Sequence, residues 1–154
     1  MQRLFCKLLV TGLATAGLIT AIVVNAEPAE PPQQHLLIVT SASVQTQGMA
    51  MVLGNAIAGQ GHQVDVLLCD TAGDLALKNA PDERLKPNDV SPAQLLGRLQ
   101  QQGANVSVCA LYLPNSEYSQ TDLREGIEVA TPSAMAAQMT QENMRVHSFW
   151  VRYQ

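Results

Sequence analysis

The run Val106-Ser107-Val108-Cys109-Ala110-Leu111 constrains the fold more than any other stretch of the chain. It is short and nearly all apolar, and it lies between a helix-like segment and a long polar loop. Such runs read as strands buried on both faces, the pattern of parallel sheets with helical crossovers. The segment before it has clear end signals. Ser91 can cap, Pro92 suits the first helical position, and Gln94 can bond back in a capping box. Leu95, Leu96 and Leu99 give that helix a buried stripe, and Gly103 ends it. The strand therefore delivers Cys109 to its own end, at the rim of the sheet where such folds place their sites.

The same alternation runs along the chain. Residues 35–40 and 64–69 are β-rich runs, the second ending in Cys69. Between them Met49, Val52, Leu53, Ala56 and Ile57 recur at helical spacing and are expected to face the core. Gly61 suits the left-handed position past that helix. Residues 70–92 are long and polar, with Pro81, Pro87 and Pro92, and a short helical piece is expected near 75–78. After Cys109 comes a second polar loop, 114–126, with a helical turn near 121–125. Thr131-Pro132 opens a last helix, with Met135, Ala136 and Met139 expected to face inward. Asn143 permits a turn into a final strand over 144–153, and 127–129 allow a short extra strand. This order predicts an α/β fold with a mostly parallel sheet of four to five strands, helices on both faces and right-handed crossovers.

The first residues read as a targeting signal. Arg3 and Lys7 precede an apolar run over 8–24, and Val24-Asn25-Ala26 offers a small-residue cleavage site. An uncleaved anchor is the competing reading, since the run is near the lower length limit for a span. Cys6 precedes the apolar run and would leave with the signal. Residues 27–34, rich in Pro, Glu and Gln, read as a linker, and 35–154 as one domain. The mature chain is expected to be exported, and periplasmic in a Gram-negative bacterium. No later segment is long and apolar enough for a span, so no membrane association of the mature form is expected.

The chain carries a net charge of −4, and cleavage after Ala26 would remove two of its nine basic residues. With no basic run anywhere, no nucleic-acid partner is expected. Cys69 and Cys109 remain in the mature chain. They allow a structural disulfide, a redox-active pair with Cys69 resolving, or two unrelated thiols, and spacing does not choose among these. A thiol at a strand end beside helix N-termini is placed for activation, which Arg124 or Lys78 could assist from flanking loops. The bland alternative is a small buried hydrophobe.

Other residues say less. His35, His62 and His147 have no metal-ligand spacing, so no metal is expected. Residues 41–48 lack the glycine pattern of a dinucleotide loop, and no cofactor is implied. That loop is still a candidate to line the pocket of Cys109. Ser41 and Ser43 have no evident triad partners. Tyr112, Leu113 and Tyr118 read equally well as pocket, interface or packing residues.

The ordered motifs resemble those of the DsrE/DsrF-like family, small α/β proteins of sulfur relays. The matching stretches are Gly61-His62-Gln63-Val64-Asp65-Val66-Leu67-Leu68, Ser91-Pro92-Ala93-Gln94-Leu95-Leu96 and Gln102-Gly103-Ala104-Asn105-Val106-Ser107-Val108-Cys109, followed by Asp122-Leu123-Arg124-Glu125-Gly126-Ile127 and Met135-Ala136. The resemblance spans residues 35–150. It implies a three-layer α/β/α sandwich and a trimer or hexamer. It also implies a persulfide carried on the cysteine at the third strand, here Cys109, passed to or from a partner protein. Cys69 has no role assigned by that pattern. A sulfur carrier or sulfurtransferase acting through Cys109 is therefore the leading expectation. The rival is a non-catalytic oligomeric binding module with a structural Cys69–Cys109 disulfide. A thiol-disulfide or peroxide-reducing role ranks last, since the Cys-x-x-Cys spacing is missing.

Overall fold

The structure, a computed structural model, describes residues 32–150. The expected signal segment and most of the linker lie outside them. The elements are β1 (Gln34–Val39), α1 (Val44–Gly59), β2 (Gln63–Leu68), α2 (Pro92–Gln101), β3 (Asn105–Cys109), β4 (Ile127–Ala130), α3 (Pro132–Met139) and β5 (Met144–Phe149). The five strands form one parallel sheet in the order β4-β3-β2-β1-β5. The chain walks outward from β1 to β4, then α3 carries it back to pair β5 with the other side of β1. The extra strand expected at 127–129 is β4, at one edge. The final strand ends at Phe149, and residues 151–153 lie outside the described range.

The register explains the core. Leu37 pairs with Val66, Val66 with Val106 and Val106 with Ile127, and these share one face with Val39, Leu68 and Val108. All are buried, and Leu95, Leu96 and Leu99 of α2 pack over them. Each such leucine contributes about 1.5–3 kcal/mol by leaving water. The capping box of α2 forms as its sequence requires. The Ser91 hydroxyl accepts from the Gln94 N–H, and Gln94 Oε1 accepts from the Ser91 N–H. Gly61 and Gly103 have φ of 86° and 94°, the left-handed turns that end α1 and α2.

The facing of α1 corrects the sequence expectation. Met49, Val52 and Leu53 point outward, 55%, 49% and 42% exposed, and Ala56 is exposed too. Of the expected stripe only Ile57, half-buried, touches the core. The sheet side is instead Gln47, Gly48, Ala50, Met51 and Gly54. This helix is apolar on more than one side, so periodicity alone leaves its rotation open. Close approach settles it: a Cβ on Gly54 would lie 2.8 Å from Leu37 Cδ1 and 2.9 Å from Leu99 Cδ2. Gly54 permits that contact, with Met51 buried on the same side, and Met49, Val52 and Leu53 are turned away. Asn55 Nδ2 then ties α1 to α2 through the Leu95 carbonyl at 3.0 Å.

The last helix also departs from expectation. Thr131 caps it through the Ala134 N–H, but Met135 is only half-buried, and Ala136 and Met139 are exposed. A polar contact anchors it instead. Gln138 Nε2 donates to the buried Asp65 of β2, whose other oxygen accepts from Asn105 Nδ2 at 2.7 Å. Asp65 is in register with Leu36, on the sheet face opposite Leu37 and Val66. Helices thus cover both faces, α1 and α2 on one and α3 on the other. No helix of the described residues is long and apolar enough to cross a membrane.

Candidate functional site

Cys69 and Cys109 come together. Leu68 pairs with Val108, so the next step along both strands sets Cys69 beside Cys109 at the C-terminal rim. Their backbones are fixed: the Cys69 N–H donates to Val39 O at 2.9 Å, and Cys109 O accepts from the Tyr112 N–H at 2.9 Å. Both sulfurs are free and half-buried. They line a cleft of about 480 Å³ with Asp70, Thr71, Asp74, Leu111, Tyr112, Asn115 and Ser116.

The chain leaves each strand abruptly here. After Cys69 it turns through Asp70 at φ 51°, a left-handed position that Asp tolerates, into a 3-10 helix over Asp70–Ala76. The helical piece expected near 75–78 is this earlier turn. After Cys109 a tight turn brings Tyr112 back over it. The Tyr112 hydroxyl donates to Asp74 Oδ1 at 2.7 Å, and its ring lies against Gly73. Tyr112 thus both lines the cleft and packs the core, Leu111 stays exposed at the cleft, and the exposed Tyr118 ring stacks 6.4 Å from that of Tyr112 without lining the cleft.

The electrostatics hold protons in place. Burial raises the Cys69 thiol to about 12, helped by its interaction with Cys109 and by the Asp70 carboxylate. Burial and the bond to Asp74 push the Tyr112 phenol well above its ordinary value. Neither cation considered from sequence lines this cleft. Lys78 Nζ donates to Thr121 O at 2.6 Å, and Arg124 Nη1 donates to Ala93 O at 3.1 Å. The loop after β1 lines a neighbouring crevice, where Ala42, Val44 and Gln47 face Thr71 and Asp74. The acidic wall of Asp70 and Asp74 was missed by sequence reasoning. Its only signal is position, within the five residues after Cys69, which follows β2.

At the opposite, N-terminal end of the sheet the three histidines gather, far apart though they are in sequence. His35 Nδ1 and His147 Nε2 are 3.1 Å apart, with rings 3° from parallel, and this hydrogen bond links β1 to β5. The His62 ring centre lies 5.3 Å from that of His35, and its Nδ1 accepts from the Gln33 N–H. The buried His35 Nε2 has no partner among the described residues. Among the described residues, no group of three or more His, Cys, Asp or Glu is arranged to hold a metal ion.

No family model matches the sequence, and no curated protein matches it. Solved structures do match. The ychN protein from E. coli superposes with a TM-score of 0.62 at 18% identity, covering 77% of this chain and 100% of that one. The protein of unknown function MTH1491 from Methanobacterium thermoautotrophicum gives 0.60 at 13% identity, covering 75% and 98%. This chain has their fold. At these identities the likeness extends to the architecture alone, the small α/β arrangement expected from the sequence.

Proposed function

We propose that this chain is an exported DsrE/DsrF-like sulfur carrier in which Cys109 accepts a sulfane sulfur. One observation carries the reading: two free thiols stand side by side in an open cleft at the C-terminal rim of a parallel sheet. Loading transfers the outer sulfur of a persulfide donor to Cys109, and the donor leaves as a thiol. The cleft admits the tip of a partner's sulfur-bearing segment, and Leu111, 70% exposed at its mouth, gives that partner an apolar contact. The ordered motifs from Gly61 to Ala136 support the family reading.

Self-association belongs to the same proposal. Helix α1 contains no charged residue over sixteen positions, yet it turns Met49, Val52 and Leu53 to solvent. A surface helix ordinarily carries a polar outer face. A trimer or hexamer in which copies bury this stripe accounts for it.

The test is sulfur loading of the wild-type chain and of Cys109→Ala by a small-molecule persulfide. The proposal expects the substitution to abolish loading while far-UV and near-UV dichroism stay unchanged. Loading that survives Cys109→Ala sinks it. The same register also suits a structural bridge, so thiols are first counted on protein kept from reductants. A closed bridge there that the donor cannot open favours the binding-module reading.

A further inference from the structure

We infer that Cys69 is the resolving thiol of this site: it attacks the inner sulfur of a persulfide on Cys109, closes the Cys69–Cys109 disulfide and expels sulfide. This rests on the reading of Cys109 as the sulfur acceptor and adds a second step to it.

Geometry carries the inference. The two cysteines follow the Leu68–Val108 pair on adjacent parallel strands. Neighbouring strands lie about 4.8 Å apart, inside the ~4.4–6.8 Å range of Cα separations that a disulfide spans. Both backbones are held by hydrogen bonds, so the sulfurs can bond without moving either strand far. Both side chains line the same cleft, and Cys109 adds to burial in raising the Cys69 thiol. A persulfide on Cys109 therefore has its inner sulfur beside Cys69.

The step balances without an outside oxidant. The bond between Cys109 Sγ and the outer sulfur breaks, and a bond between Cys69 Sγ and Cys109 Sγ forms. Cys69 is oxidised from thiol to disulfide level, the outer sulfur is reduced to sulfide, and the Cys109 sulfur is unchanged in oxidation level. The proton that Cys69 holds leaves with the sulfide. A thiol reductant then restores both thiols for another round.

The surroundings of Cys69 predict a slow step. The thiolate is the nucleophile, and burial with Asp70 nearby keeps Cys69 protonated. A loaded chain thus has time to meet an acceptor. Without one it discharges as sulfide and closes.

The test loads the full mature chain with glutathione persulfide, removes the donor by desalting, and follows released sulfide and intact mass. Wild-type protein is expected to release one sulfide per loaded chain and to end two hydrogens lighter than the dithiol. Cys69→Ser and Cys69→Ala are expected to load equally well and to release sulfide at least about tenfold more slowly, since no neighbouring thiol remains to attack. Equal release from wild type and both variants overturns the inference and leaves the carrier reading standing. Transfer of the added sulfur from Cys109 to Cys69, mapped on peptides, also overturns it. Loading that never occurs on Cys109, in wild type or variants, removes the carrier reading and this inference with it.

Discussion

The Tyr112 hydroxyl donates a 2.7 Å hydrogen bond to Asp74 Oδ1 while its ring covers Gly73. This single side chain joins the turn after β3 to the 3-10 helix after β2. It ties together the two segments that leave the sheet just after the thiols, so the width of the cleft depends on it.

Two substitutions test that clamp. Tyr112→Phe removes the donor but keeps the ring. A hydrogen bond to a charged acceptor contributes about 1.5–3 kcal/mol. Asp74 is partly exposed, so the expected loss by chemical denaturation is nearer 1 kcal/mol. Gly73→Ala places a Cβ within the ring of Tyr112 and must displace it. Overpacking of this kind costs about 1–3 kcal/mol, and alkylation of Cys109 should change rate as the cleft widens. Unchanged stability in both variants contradicts the clamp.

Stability should fall in alkali. The Cys69 thiol is raised from 9.0 to about 12 in the folded chain. Between those values the folded state holds a proton that the unfolded state has lost. The stabilisation is complete below pH 9 and is lost as pH rises toward 12. Tyr112, raised as well, acts in the same direction. Melting temperatures of wild type and Cys69→Ser, measured from pH 8 to 11 in the presence of reductant, should diverge above pH 9, with the wild type falling more steeply.

The histidine cluster gives the opposite limb. The His35 imidazole is lowered from 6.5 by burial first, then by His147, His62 and Arg145. A lowered histidine stabilises the fold above its unfolded value and loses that contribution as pH drops through the folded one. Melting temperature should therefore decline below about pH 6.5, and His147→Gln, which removes one of the causes that lower His35, should flatten the decline. A flat profile from pH 7.5 to 5 in the wild type contradicts this.

The α1 stripe makes a prediction about assembly. Val52→Lys with Leu53→Lys should turn an oligomer into a monomer by light scattering. Stability of the isolated fold should change by less than about 0.5 kcal/mol, since both residues already face solvent. A wild-type chain that is monomeric at high concentration contradicts the proposed self-association.

How much of this was legible in the sequence depends on what fixes each feature. Strands β1, β2 and β3, and the capped start of α2, follow from local signals: apolar runs, Ser91-Pro92 and Gly103. The rotation of α1 was not legible, because Met49 and Met51 are equally apolar and the choice is made by how closely Gly54 lets the helix approach Leu37 and Leu99. The outward facing of Ala136 and Met139 was missed for a related reason. The helix is anchored by Gln138 on Asp65, a contact between residues 73 positions apart. The meeting of Cys69 with Cys109 depended on β2 and β3 being neighbours in register. Sequence could raise it only as a condition, which the sheet order fulfils. The histidines looked scattered because parallel strand order, not spacing, brings His35 beside His147.

The most direct test of the central claim is an intact mass spectrum and peptide map of the Cys69→Ser chain after exposure to glutathione persulfide. That variant cannot close the bridge, so a sulfur taken by Cys109 stays where it arrives. A gain of one sulfur atom, mapped to Cys109, is the expected result. A chain whose Cys109 alkylates freely, yet gains no sulfur from the donor, contradicts it.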